Sequence, residues 1–343
     1  MKYLIFRTDR IGDFLIILPL IKALKVNNPN SKISIVTSQK NINFVKNNYL
    51  VDDVFVLKSN KIKDKIKLFF KLNKLSYDTV IVSDKKNRSI ILTLFLKAKK
   101  KIFNVSKNYQ KQLLHLFFKD VFLDNDSFVN NSTKEVLKRN CVSLDIKFND
   151  DYYKFFQIDH FKKHCPVTDI LELKNKKYIV FHCDEKWEIE NYSKLFKKAK
   201  NFTDIKLNKS DLVNFLFKLS ATKSMQIIIT TGHLHTNIIN DLQKDSRKIN
   251  PYLYEVKLKS EKCHLITNQD FFSTSHIISK SNLFISCHGA FTHIASNYNI
   301  KILDIIEKNK RIHYSKITSH MKNYKTLYRK DSSYLLDEIV NHS

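Results

Sequence analysis

Three turns gather the residues best suited to chemistry. Arg10 and Asp13 flank Gly12 in Phe6-Arg-Thr-Asp-Arg-Ile-Gly-Asp13. Thr231 and His233 flank Gly232 in Ile229-Thr-Thr-Gly-His233. His288, Ala290, Thr292 and His293 surround Gly289 in Ile285-Ser-Cys-His-Gly-Ala-Phe-Thr-His293. These are the only three glycines in 343 residues. Glycine tolerates φ > 0 and admits close backbone approach, so one or both is expected at each turn. No two glycines are near enough to form a dinucleotide or P-loop fingerprint. A phosphate bound here must therefore rest on a helix N-terminus and basic side chains. The helix opening at Gly289 offers the first, and Lys186 in Phe181-His-Cys-Asp-Glu-Lys-Trp187 offers the second. A carboxylate at Asp13 can cap a helix and answer its dipole. It can also take a proton from a substrate hydroxyl. His182, Asp184 and Glu185 lack a second ligand cluster at metal-binding spacing, so no metal is expected.

Strand and helix patterns alternate around these turns. Tyr3–Arg7 is an unalternating apolar run, the pattern of a buried parallel strand. A helix follows over Asp13–Val26, with Pro19 predicting a kink. Lys32–Thr37, Val54–Leu57 and Thr79–Val82 read as further strands. Residues 62–75 read as a basic amphipathic helix, with Ile62, Ile66, Phe69 and Phe70 set against Lys61, Lys63, Lys65, Lys67, Lys71 and Lys74. Its plain reading is a solvated basic face over a buried stripe; the other is a contact with an anionic membrane leaflet. Residues 120–170 are polar and irregular. The alternation then restarts, with strands at Tyr178–His182, Gln226–Thr230, Leu283–Ser286 and Ile302–Ile306. Helices are predicted over 189–200, 210–221, 233–243, 290–298 and 332–343. The expectation is an α/β chain of two Rossmann-like domains, 1–168 and 169–343, facing a cleft. Ligands of such sheets bind beyond the carboxyl ends of strands, where the three glycines fall.

Composition narrows the classes. The net charge of +27 favours an anionic partner: nucleotide phosphates, an anionic membrane face or nucleic acid. The lysines are dispersed along the whole chain, and no helix-turn-helix, zinc-finger or RRM signature accompanies them. Five cysteines, odd in number and without CxxC spacing, read as reduced thiols rather than a disulfide framework. No apolar run reaches the ~18 residues of a membrane span. The chain is expected to be cytoplasmic, or peripheral on the inner membrane face.

The opening Arg7-Thr-Asp-Arg-Ile-Gly-Asp-Phe-Leu-Ile-Ile-Leu-Pro19, followed by Ile21-Lys-Ala-Leu-Lys25 and Pro29, resembles the start of the family 9 glycosyltransferases, the lipopolysaccharide heptosyltransferases. Val51-Asp-Asp-Val54, Tyr77-Asp-Thr-Val-Ile81 and Leu283-Phe-Ile-Ser-Cys-His-Gly-Ala-Phe-Thr-His-Ile-Ala295 resemble later family segments in order and spacing. The resemblance spans roughly residues 1–100 and 175–310.

The resemblance implies a GT-B fold and inverting transfer of a sugar, heptose as the family prior, from a nucleotide diphosphate sugar to a lipopolysaccharide core or related glycan. It implies Asp13 as general base, with Arg10 and Gly12 beside it. Lys186, Thr231, His288, Gly289, Ala290, Thr292 and His293 fall in its donor-binding segments. It implies no cofactor beyond an ADP-linked co-substrate, a lipid-linked or oligosaccharide acceptor, and a monomer that binds no nucleic acid. The chain departs from the family pattern where Cys287 and His288 replace an acid and a hydroxyl, and where the histidine follows the glycine by four residues. The alternatives are a nucleotide-sugar epimerase of GT-B fold and a basic nucleic-acid-binding protein.

Overall fold

The structure is a computed structural model of the chain. It describes residues 1–59, 61–124, 132–156, 169–173, 176–197, 201–234, 236–258 and 262–343. Two compact units divide it, Met1–Phe161 with Ile312–His320, and Lys162–Arg311 with Met321–Ser343. The expected boundary at 168/169, with Cys165 and Pro166, borders or lies in a stretch outside the described residues.

The first unit is built on six strands: β1 (Lys2–Phe6), β2 (Lys32–Ser38), β3 (Asp53–Leu57), β4 (Tyr77–Val82), β5 (Ala98–Val105) and β6 (Val121–Leu123). All pairings are parallel, in the order β3-β2-β1-β4-β5-β6. A parallel sheet must be covered on both faces, hence the unalternating apolar runs of β1 and β4. Helix α1 (Ile11–Asn27) runs unbroken through Pro19 and buries Phe14, Leu15, Ile17, Leu18, Ile21 and Leu24. On the other face lie α3 (Ile62–Asn73), α4 (Asn87–Phe95) and α5 (Asn108–His115). They contribute Leu68, Leu72, Ile90, Leu92 and Leu114 to a core shared with Leu4, Val80 and Phe103. A short α2 (Ile42–Lys46) follows β2. The polar stretch expected to be irregular contains a helix, α6 (Thr133–Ser143). Ser132 caps it by accepting from the Glu135 amide, and it buries Val136, Leu137, Asn140 and Cys141. Within this unit the Tyr153 ring stacks on His320, centroids 3.9 Å apart.

The second unit has eight strands: β7 (Tyr178–Cys183), β8 (Gln226–Thr231), β9 (Arg247–Asn250), β10 (Leu253–Lys257), β11 (Lys262–Ile266), β12 (Leu283–Cys287), β13 (Lys301–Ile306) and β14 (Tyr324–Tyr328). Their order is β14-β13-β12-β7-β8-β11-β10-β9. All neighbours are parallel except those of β10, which is antiparallel to β9 and β11. With that added β9–β10 edge set aside, the parallel strands repeat the 3-2-1-4-5-6 order of the first unit. The C-terminal helix Ser332–His342 packs Leu335, Leu336, Ile339 and Val340 into the core that holds Phe215, Leu216 and Trp187.

Sheets of this order have a switch point between their first and fourth strands, where a crevice opens beyond the carboxyl ends. In the first unit it lies past Phe6 and Val82. In the second it lies past Cys183 and Cys287. The Gly12 motif sits at the first and the Gly289 motif at the second, while Gly232 follows β8 beside it.

Candidate functional site

At the first switch point, Arg7 leaves β1 buried and anchors its surroundings. Its Nε donates to the Asp13 carbonyl at 2.8 Å, and one terminal nitrogen donates to the Ser83 carbonyl at 2.5 Å. The other reaches Asp13 Oδ1 at 3.3 Å. Asp13 Oδ2 accepts the Arg10 amide at 3.1 Å. Asp13 is the third residue of α1, so it does cap the helix, and Gly12 sits in the same first turn. Capping does not use up the group. Its side chain keeps 41% exposure, enough for a hydroxyl to reach it. Arg10 is exposed and contributes its backbone amide to the carboxylate.

Beneath this carboxylate lies a polar network that the sequence did not single out. Buried Asp84, just past β4, accepts from Thr8 Oγ1 at 2.5 Å and from Ser89 Oγ at 2.7 Å. Arg88 donates to Thr8 Oγ1 at 2.8 Å, and Lys86 pairs with Asp9. Their common signal is position. Each follows the first or fourth strand of a 3-2-1-4-5-6 sheet, where ligand-facing residues collect.

The second switch point is built around Lys186. Its ammonium pairs with buried Asp184 and donates to the Cys287 carbonyl at 3.2 Å. Burial alone would lower its pKa; the Asp184 carboxylate outweighs that and raises it, so the group stays charged. Trp187 is fully buried, with its Nε1 donating to the His182 carbonyl at 2.9 Å, and so it braces the turn. Gly289 is the N-cap of helix Ala290–Asn297. A Cβ on Gly289 would lie 2.9 Å from Lys186 Nζ, so the ammonium rests on the glycine itself. A helix N-terminus with a cation seated on it has the electrostatics to receive an anion.

No glycine in the chain has a positive φ, so of the two expected reasons for glycine at these turns only close approach applies. The Gly289 φ is −170°, extended backbone that any residue adopts. What glycine supplies is space. On Gly232 a Cβ would meet Asp184 Cβ and Glu185 Oε2, both at 2.7 Å. Thr231 is half-buried at the end of β8, and His233 is exposed beyond it. Burial raises the Glu185 carboxyl, with Asp184 adding to it, while Lys186 and His233 pull it back. His235 lies outside the described residues.

His288 and Thr292 converge on Asp304, a carboxylate buried in the apolar run of β13. His288 Nδ1 lies 2.6 Å from Asp304 Oδ2, Tyr324 donates to the same oxygen at 2.7 Å, and Thr292 donates to Oδ1 at 3.3 Å. The carboxylate requires the proton on Nδ1, so any chemistry of this ring runs through Nε2. Thr292 Oγ1 also accepts the Gly289 amide at 3.2 Å, and Thr292 is wholly buried, so its hydroxyl shapes the turn. His293 is buried, its ring edge-on to His288 at 5.5 Å. The acid expected before Gly289 is thus Cys287, and a carboxylate comes instead from the neighbouring strand. Buried Cys287 has its thiol pushed up to about 12 by burial and meets Arg329 at 3.5 Å. His182 is also buried, on Thr230 at 2.9 Å; burial drives it down to about 4, so it is neutral at pH 7. Among the described residues no group of three or more His, Cys, Asp or Glu side chains is arranged to hold a metal ion.

No protein-family pattern matches the sequence, and no curated protein sequence matches it. The fold has relatives among solved structures. The Escherichia coli heptosyltransferase WaaC, solved with ADP, superposes with a TM-score of 0.62 at 13% identity, over 100% of this chain and 97% of that one. A family 9 glycosyltransferase from Veillonella parvula gives 0.63 at 12% identity, over 95% and 85%. The UDP-GlcNAc 2-epimerase of Methanocaldococcus jannaschii gives 0.55 at 12% identity, over 99% and 92%. Two Rossmann-like units, each with order 3-2-1-4-5-6, and these superpositions give this chain the GT-B fold shared by the family 9 heptosyltransferases.

Proposed function

We propose that the protein is an inverting glycosyltransferase that takes a sugar from a nucleotide diphosphate sugar. The observation that carries this is the Lys186 ammonium resting on Gly289 at a helix N-terminus, at the switch point of the second unit. A diphosphate is the anion such a site fits, and it is also the leaving group of the reaction. Charge that builds on it as the glycosidic bond breaks would be met by Lys186 and the helix amides. Thr231, Ala290, His288 and His293 belong to the same donor side, with His288 held by Asp304 to present Nε2. The solved relative bound to ADP and a second WaaC structure with ADP-2-deoxy-2-fluoro heptose support an ADP-linked heptose as donor.

Asp13, in the first unit, is the general base in this proposal. It would accept the proton of the acceptor hydroxyl as that oxygen attacks the anomeric carbon. Arg7 and the Arg10 amide hold the carboxylate in place through one oxygen each. The acceptor of this proposal is a lipopolysaccharide core or a related surface glycan. In the test, Asp13→Asn is compared with wild type for sugar transfer, ADP binding and melting temperature. Transfer is expected to fall by at least ~10²-fold, the usual range for a lost general base, with ADP binding kept. Full transfer by the variant would remove Asp13 from the mechanism.

A second reading, nucleotide-sugar epimerisation, has one observation in its favour: epimerases superpose on this chain nearly as well. An epimerase needs no acceptor, so product analysis without one separates the two.

A further inference from the structure

The exposed apolar residues of the first unit are not scattered. Helix α3 exposes Ile62, Ile66 and Phe70, α4 exposes Ile91 and Phe95, and α5 with its following turn exposes Tyr109, Leu113, Leu116 and Phe117. Ile62, Ile66 and Phe70 follow i, i+4, i+8 spacing, as do Tyr109, Leu113 and Phe117; Ile91 and Phe95 are an i, i+4 pair, and Leu116 lies at i+3 from Leu113, so each set runs down one side of its helix. The three helices are neighbours on one face of the sheet. The Lys97 amide donates to Asn73 Oδ1 at 3.1 Å, tying the end of α3 to the end of α4. Gln110 donates to Asn87 Oδ1 at 2.6 Å, tying the start of α5 to that of α4. Their inward rows, Leu68, Leu72, Ile90, Leu92 and Leu114, already fill the core. The stripe expected from the sequence to be buried on α3 is therefore mostly the outward one. Ile62 is 72% exposed, Phe70 60%, Phe95 69% and Phe117 75%.

Contiguous exposed apolar rows mark an interaction surface. Its charge says with what. Lys63, Lys67 and Lys71 form an exposed row directly beside Ile62, Ile66 and Phe70, and Asp64 is the only acid on the helix. Lys97, Lys107 and Lys119 lie exposed just beyond the ends of the other two helices. A second copy of this chain would bring lysines against lysines across the pairing axis, which like-charge repulsion opposes. Duplex nucleic acid keeps its bases stacked and would meet only the lysines, leaving the exposed apolar rows uncovered. Apolar rows interleaved with lysine suit an anionic lipid surface. The side chains enter the boundary between headgroups and acyl chains while the ammonium groups meet lipid phosphates. We infer that the α3–α4–α5 face of the first unit docks the protein on an anionic bilayer, with Phe70, Phe95 and Phe117 as the inserting residues. No helix among the described residues is long and apolar enough to cross a membrane, so this face is a peripheral contact.

The test is cosedimentation of the full chain with vesicles of phosphatidylcholine alone, or with about 30% phosphatidylglycerol, at near-physiological salt. Wild type is expected to sediment with the anionic vesicles and not with the neutral ones. Phe95→Ser with Phe117→Ser should weaken the partition by ~10-fold or more, as should Lys63→Glu with Lys67→Glu. Both variants alter exposed side chains, and an unchanged melting temperature and ADP affinity would confirm an intact fold. Should the phenylalanine pair fail to fold, the lysine pair carries the test. The inference is overturned if wild type ignores anionic vesicles, or if both variants bind them as wild type does. It is equally overturned if the variants turn a dimer into a monomer, or if duplex nucleic acid displaces the vesicles. None of these outcomes depends on whether sugar transfer occurs.

Discussion

Replacing Gly289 with alanine isolates the proposed anion site better than removing Lys186 does. Lys186 neutralises Asp184, a buried carboxylate. Deleting one partner of a buried pair strands the other charge and costs about 3–5 kcal/mol, so Lys186→Ala would confuse binding with stability. Gly289→Ala leaves both charges in place. The new Cβ would lie 2.9 Å from Lys186 Nζ, with the Cys287 carbonyl oxygen next at 3.8 Å. Ordinary contact needs about 3.5 Å, so the ammonium must retreat by roughly 0.6 Å. Its 3.2 Å bond to the Cys287 carbonyl is already long, so a shift of that size weakens it. The backbone does not object, because the Gly289 φ is extended. Alanine is a poorer N-cap than glycine by a few tenths to ~1 kcal/mol. Its smaller unfolded-state entropy returns ~0.4–1 kcal/mol, so net stability should move by less than about 1 kcal/mol. ADP binding, by contrast, loses a charge-assisted contact of about 1.5–3 kcal/mol, or roughly 10- to 100-fold in Kd. Calorimetric titration with ADP beside a thermal melt reads both quantities. ADP binding at wild-type affinity with a normal melt would refute the placement of the diphosphate at Gly289.

Other consequences follow from the same geometry. Gly232→Ala should destabilise by about 1–3 kcal/mol, because its Cβ meets Asp184 Cβ at 2.7 Å and Asp184 Cα at 3.1 Å, where backbone must move; a denaturant midpoint checks it. Asp304→Asn replaces an oxygen that accepts from His288, Thr292 or Tyr324 with a donor, and should cost about 1–3 kcal/mol in the same assay. His182 has its folded pKa lowered by burial to about 4, so the unfolded chain binds the extra proton between pH 6.5 and about 4. Its contribution is present above pH 6.5 and lost as pH falls through that window, by about 3 kcal/mol in all. His182→Gln should flatten that part of the stability–pH curve, and an unchanged slope would show the ring is solvated.

Much of the fold could be read from contiguous apolar runs. β1, β4, β7 and β12 are buried on both faces, so their sequences are mostly apolar and show no period of two. The β9–β10 addition escaped notice because Arg247, Lys248 and Ile249 are exposed and polar on balance, without the burial that writes a period into sequence. Helix α6 was hidden by the Asn-Asn-Ser run before it, which reads as loop although Ser132 is its cap. At the sites, Asp13 and Gly289 stood out because they belong to glycine turns, and Lys186 because it precedes Trp187, the only tryptophan in the sequence. Asp84 and Asp304 did not, since their roles come from strands that are neighbours only in space. Asp304 did carry a signal: a lone acid inside the apolar run Lys-Ile-Leu-Asp-Ile-Ile306 is costly to bury unless donors converge on it. Scarcity of glycine pointed to places where no side chain fits, and Gly232 and Gly289 are such places: the missing Cβ seats Glu185 and Lys186, with no positive φ involved.

Sugar transfer from a nucleotide diphosphate donor is read out by ADP release from ADP-heptose with and without a lipopolysaccharide-core acceptor. ADP formation is expected to depend on the acceptor, with a product carrying one added heptose of inverted anomeric configuration. An isomerised nucleotide sugar formed without acceptor, or no turnover of any nucleotide diphosphate sugar in a panel, would contradict it.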